Sequence, residues 1–157
     1  MHALTVRQPH AELIVCGMKT LEIRTWWPRV QLPMLVAIHA GKRSDFDAPR
    51  ELWDRAGFSY FPISQVALSK TARWGGIIGV VRFVERIEFC GYLGEIEGRA
   101  RWERLADQHL NPLDSWAPNK VGFRFEDPVR FDKIIPCRGR QGLWTLPEEV
   151  ERLVVTD

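Results

Sequence analysis

Apolar and polar positions change their period several times along this chain. Residues 3–6 (Ala-Leu-Thr-Val) form a short apolar run that predicts a strand. Pro9 suits a first helical turn, where its missing N–H would have had no partner. Ala11, Ile14 and Val15 recur at helical spacing and Gly17 supplies a stop, which predicts a short helix over residues 10–16. From Thr20 the period falls to two. Leu21 and Ile23 alternate with Thr20, Glu22, Arg24 and Trp26. Strand residues two apart lie ~6.5–7 Å from each other on one face, so Glu22 and Arg24 are expected side by side and close enough to pair. Lys19 falls at the bend between helix and strand.

The rest of the chain reads less evenly. Residues 33–38 predict a buried strand, residues 45–56 a surface helix, and residues 76–89 a long or bent strand dense in Ile, Val and Phe. Residues 57–73 read as an excursion, and residues 99–110 as a helix inside a charged insertion over 91–118. Three short strands are expected at 121–125, 129–131 and 134–137, divided by the Glu126-Asp127-Pro128 turn, and Pro147 opens a last helix. Short strands with interleaved helices, and no regular βαβ alternation, predict an α+β fold: a small mixed β-barrel forming a single domain over 1–157.

Composition narrows the function classes. A hydrophobic share of 45% with 27% charged residues fits an ordinary soluble domain. No apolar run approaches the ~20 residues of a membrane span, and the N-terminus lacks the features of a secretory signal. A cytoplasmic protein without membrane association is therefore expected. Cys16, Cys90 and Cys137 are odd in number and far apart, with no CxxC or HExxH spacing, so no metal and no cofactor is expected and buried reduced thiols are. The net charge of +2 identifies no partner. Its distribution is more informative: residues 1–43 hold six Lys/Arg against two Glu, an asymmetry that can create a face attractive to polyanions.

Candidate chemistry concentrates in the first 27 residues. A strand, a turn at Arg7-Gln8-Pro9, a short helix and a returning strand bring Lys19, Glu22 and Arg24 towards one sheet edge, with Gln8 and Pro9 approaching from the helix N-terminus. Arg can grip a phosphate bidentately, Lys acts as a point cation, and Gln or Glu can read a base edge. Trp26 is the best stacking surface. The same residues also fit a plain surface ion pair. Lys42, Arg138 and Arg140 follow strand ends or glycines and can either reach a phosphate backbone or remain solvated.

The stretch LTVRQPHAELIVCGMKTLEIRTW resembles the opening of the ASCH domain, named for the activating signal cointegrator proteins and similar in fold to the RNA-binding PUA domain. The family hallmark Gly-x-Lys-x-x-Glu-x-Arg is matched by Gly17, Lys19, Glu22 and Arg24, after the Gln8-Pro9 pair. The likeness continues through IHAGK (38–42), GGIIGVVRFVE (75–85) and EDPVRF…IPCRGRQGLWTL (126–146). The resemblance implies a PUA-like barrel with a cleft lined by Lys19, Glu22 and Arg24, with Gln8 at its rim, and nucleic-acid binding, with RNA foremost.

Two departures stand out. His10 occupies a position where many members carry tryptophan. Glu22 stands where an amidohydrolase branch, similar to enzymes acting on acetylated cytidine, has a nucleophilic threonine. A carboxylate cannot replace that hydroxyl in acyl transfer. The expected function is binding of RNA or single-stranded nucleic acid through the cleft, with Lys42, Arg138 and Arg140 as a basic rim. The alternative is a metal-independent hydrolase, a ribonuclease or an amidohydrolase of a modified nucleoside, with Glu22 as base and Lys19 or Arg24 as electrostatic clamp. A partner protein offering a peptide carboxylate is a third possibility.

Overall fold

The computed structural model describes residues 1–58, 73–88 and 120–156. Its elements run β1 (His2–Gln8), α1 (His10–Val15), β2 (Leu21–Arg24), β3 (Met34–Ser44), α2 (Arg50–Arg55), β4 (Gly76–Glu88), β5 (Val121–Pro136), β6 (Leu143–Thr145) and α3 (Glu148–Thr156). The strands make one sheet in the order β2-β5-β4-β3-β1-β6. Only β1 and β3 run parallel, joined by the long crossover that a parallel pair needs. The fold is α+β, but the expected barrel closure is absent among the described residues. β2 and β6 each have a single neighbour, so the sheet is open there.

Both faces of the central strands are covered, which explains why residues 36–38 read as an unbroken apolar run. Val36, Ile38 and Ala40 point to one face, where Ala11, Ile14 and Val15 of α1 pack with Val81, Phe83, Phe123 and Phe125. Ala37 points to the other, with Ile77, Phe131, Ile135 and Trp144, closed by Val150 and Val154 of α3. A smaller cluster of Ala48, Trp53 and Phe58 lies around α2.

Several expected boundaries shift. The three short strands after residue 120 are one strand of 16 residues, bent where its pairing with β4 slips register. The Glu126-Asp127-Pro128 turn is absorbed into that bend, with Asp127 at φ 47°. β2 pairs only with residues 121–124, so Pro128 lies beyond it and breaks no ladder bond on that side. β3 continues to Ser44, and the helix expected over 45–56 shrinks to Arg50–Arg55. The expected helix over 99–110 and most of the excursion over 57–73 fall outside the described residues.

α1 is anchored by charge as well as by its apolar stripe. The Glu12 side chain is 4% exposed, and its Oε1 accepts from Arg130 Nε at 2.5 Å and Arg73 Nη1 at 3.3 Å. Arg73 Nη2 also donates to the carbonyls of Ile78 and Phe131, each at 2.8 Å. One carboxylate thereby ties the helix to β4 and β5. Removing one member of a buried ion cluster leaves the others uncompensated, at a cost of several kcal/mol. Glu12→Ala should lower the unfolding free energy by about 3 kcal/mol, read from the denaturant midpoint at unchanged m. A loss below about 0.5 kcal/mol, the scale of an ordinary surface substitution, would show that the cluster does not anchor the helix.

Candidate nucleic-acid interface

The site begins with the exit from α1. Gly17 takes φ 74°, and the amides of Met18 and Lys19 both donate to Leu13 O, at 2.9 and 3.0 Å. This left-handed stop folds the chain back so that Lys19 lies over the start of β2. A side chain at position 17 would also meet Pro128 Cγ at 3.1 Å. Phe125 N then donates to Thr20 O at 2.7 Å, and β2 pairs with β5 through Glu22↔Phe123 and Arg24↔Val121. The strand thus carries Glu22 and Arg24 on one face.

These two side chains meet Lys19. Lys19 Nζ donates to Glu22 Oε2 at 2.5 Å, and Arg24 Nη2 lies 3.0 Å from Glu22 Oε1. Arg24 Nη2 also donates to the carbonyl of Thr5 at 2.9 Å, which ties β2 to β1 across the site. Lys19 and Glu22 are buried, while Arg24 is partly open. Burial alone would push the Glu22 carboxyl up. The charges of Lys19 and Arg24, with the Lys19 hydrogen bond, outweigh it and hold Glu22 below its ordinary value. Glu22 is therefore a fixed carboxylate with an ion-pair partner on each oxygen.

His10 stands beside this group, its Nε2 3.1 Å from Asp45 Oδ2. Burial and the charge of Lys19 push the imidazole down, against the opposing pull of Glu22 and Asp45. It is neutral at pH 7. Asp45 is held in reach because its amide donates to Gln8 O at 2.7 Å, just past the end of β3.

Around this floor opens a cavity of about 1000 Å³. Its lining carries six Lys or Arg residues, Arg7, Lys19, Arg24, Lys42, Arg43 and Arg140, against two acids, Glu22 and Asp45. Trp26 lines it too, resting edge-on against Phe123 with ring centroids 5.1 Å apart. Thr5 is anchored there by its hydrogen bond from Trp144 Nε1 at 3.1 Å.

The expected site residues divide. Lys19, Glu22, Arg24, Trp26, Lys42 and Arg140 share this cavity, whereas Arg138 lines a neighbouring one. Gln8 does not reach the rim. It is fully buried, its Oε1 accepting from Glu12 N and its Nε2 donating to Arg73 O, each at 3.0 Å. Its amide therefore satisfies the start of α1 rather than a ligand, and Pro9 is buried beside it. Arg7 and Asp45 carry no site signal in the sequence, whereas Arg43, next to Lys42 after a strand end, is expected at the surface or the cleft border and does line the cavity. The parallel pairing of Gln8 with Ser44 is what brings all three together.

Among the described residues no cluster of His, Cys, Asp and Glu could hold a metal ion, and no helix is long and apolar enough to cross a membrane. Cys16 and Cys137 are free but not buried as expected: Cys16, just past the end of α1, is exposed and Cys137 is half-buried, partial desolvation pushing both thiols up, and Cys90 lies outside the described residues.

The depressed Glu22 carboxyl carries a pH signature. Its stabilisation is complete above the unfolded value and is lost as pH falls through the folded one. At pH 7 Glu22→Gln, which leaves Lys19 buried without its counter-charge, should cost about 3 kcal/mol. That difference from the wild type should shrink as pH falls below about 4, where ordinary carboxylates protonate. A gap measured by denaturation that stays constant from pH 7 to pH 3 would contradict the ion-pair description.

Comparison with known proteins agrees with this architecture. No curated protein matches the chain. Among solved structures, a tyrosine-to-phenylalanine variant of ASCH from Zymomonas mobilis superposes with TM-score 0.61 at 15% identity, covering 99% of this chain and 96% of that one. A serine-to-alanine variant of the same protein gives 0.55 at 16% identity, covering 99% and 94%. At such identities the likeness is one of fold alone. The family model described as the ASCH domain matches residues 4–127, and with most of its length so matched the chain belongs to the ASCH domain family.

Proposed function

We propose that the cavity over Lys19, Glu22 and Arg24 binds RNA or another single-stranded nucleic acid. The observation that carries this reading is the division of charge across the site. On the floor, Lys19 and Arg24 share the one Glu22 carboxylate, which offsets one of their two charges. On the walls, Arg7, Lys42, Arg43 and Arg140 have no acidic partner among the described residues, and all four are exposed. Uncompensated cations around a concave site raise the local concentration of a polyanion and release its counterions on binding. Association of this chain with the ASCH domain, a family generally associated with RNA binding, supports the same reading.

The roles follow from placement. Lys42 and Arg140 meet phosphates at the rim. The partly exposed face of Trp26 offers a platform on which a base can stack, a contact that tolerates any base. The Lys19–Glu22–Arg24 group gives the floor a fixed pattern of donors and acceptors for one base edge. The cavity stands at the upper end of the ~300–1000 Å³ of sites that enclose compact ligands.

Hydrolysis with Glu22 as base is the weaker reading. A carboxylate paired at both oxygens and held below its ordinary pKa is a poor proton acceptor. Of the groups lining the cavity, the neutral His10 imidazole is better suited to that task.

Fluorescence anisotropy with a labelled single-stranded RNA tests the reading. Binding should weaken with salt along a log–log line, and Lys42→Ala and Arg140→Ala should each flatten its slope by about 0.7. Trp26→Leu should cost about tenfold in affinity, from ~1–3 kcal/mol of lost stacking. Salt-independent binding, or rim variants indistinguishable from wild type, would overturn the assignment. Incubation of the protein with the same RNA and with N-acylated nucleosides separates binding from hydrolysis. Turnover abolished by both Lys19→Ala and Glu22→Ala would establish an enzyme instead.

A further inference from the structure

A second cavity, of about 770 Å³, adjoins the first. The two share Thr5, Gly41, Lys42, Arg140 and Gln141, so they are neighbouring chambers with a common wall. The second lies between the end of β3 and the segment that joins β5 to β6. Its lining includes Lys42, Arg138 and Arg140 and, among the described residues, contains no acid. None of these three cations has an acidic partner among the described residues, and all three are exposed.

The deeper part of this chamber is chemically different. His39 is buried at 2% exposure, and its Nε2 lies 3.2 Å from the carbonyl of Cys137. Burial pushes its imidazole down, so it is neutral at pH 7, and its Nδ1 is buried with no partner among the described residues. The ring meets Trp144 edge-on at 5.9 Å, and Pro136 and Cys137 complete an apolar side. Gly139 permits this arrangement. A Cβ there would fall 2.3 Å from His39 Cε1, so any side chain would drive the loop off the ring. Gly139 thus covers the imidazole, and the uncharged side left facing the chamber, Pro136, Cys137 and the Gly139 backbone, suits a nucleoside below the three unpaired cations.

We infer that this chamber is a second nucleotide subsite, so that the ligand is a phosphodiester-linked strand of at least two consecutive nucleotides rather than a lone nucleotide. The inference rests on the nucleic-acid reading of the first cavity. Lys42 and Arg140, on the shared wall, hold the phosphate between the two nucleotides. Arg138, which lines only the second chamber, holds the next one. Gly41 lines both chambers, packed against Thr5 on the shared wall.

The test compares wild type, Arg138→Ala and Arg24→Ala, with uridine 5′-monophosphate and a single-stranded hexauridylate as probes. Arg138→Ala should weaken the hexanucleotide at least fivefold and flatten its salt slope by about 0.7. Its affinity for the mononucleotide should stay within twofold of wild type. Cys137, which lines the second chamber, gives an independent readout: the hexanucleotide should slow its alkylation, while the exposed Cys16 reacts at its free rate. Suppose Arg138→Ala leaves hexanucleotide affinity unchanged and Cys137 unprotected, while Arg24→Ala abolishes binding. The second subsite is then overturned and the first cavity stands. Wild-type protein that binds neither probe overturns both.

Discussion

Glu22 is a carboxylate held away from water, with Lys19 on one oxygen and Arg24 on the other. Taking such a group out of solvent costs several kcal/mol, and only close, well-aligned partners offset that cost. The arrangement therefore fixes three side chains at once and through them the shape of the floor. Arg24 extends the constraint to the Thr5 carbonyl, joining the two strands that flank the opening. With Glu22 offsetting one of the two floor cations, most of the attraction for a polyanion comes from the walls.

A second carboxylate in the same molecule shows that charge pairing alone does not make a site. Glu12 also meets two cations, Arg73 and Arg130, at comparable distances. It sits within α1, packed against the sheet, and lines none of the described cavities. Its network holds the helix in place. Glu22 differs in where its strand lies: among the described residues β2 is an end strand with one flank unpaired, and the cavity lies beside it. Similar chemistry serves structure in one place and presents a surface in the other because of access.

The legible parts of the fold were those set by local pattern. The helical spacing of Ala11, Ile14 and Val15, the stop at Gly17 and the period-two run from Thr20 all correspond to observed elements, and the shared face of Glu22 and Arg24 follows from that period. What escaped was set by distant partners. Gln8 carries the polar side chain of a rim residue, but Arg73 lies 65 positions away and claims its amide, and no local spacing reveals that. The single strand over Val121–Pro136 was hidden because a proline reads as a stop unless the missing neighbour on that side is known. Asp45 joins the site through a parallel pairing, which leaves no periodic mark in the sequence. Barrel closure was expected from the number of short strands, yet strand count does not decide whether the two ends meet.

The central claim is that a single strand of nucleic acid enters the cavity above the Lys19–Glu22–Arg24 floor. The most direct measurement is an amide chemical-shift titration of the labelled protein with a short single-stranded RNA. Shifts should cluster at residues 5–7, 19–26, 41–45 and 138–142, with the Trp26 indole among those that move most. Shifts confined to α3 and the far face of the sheet, with these segments unmoved at saturation, would contradict the account.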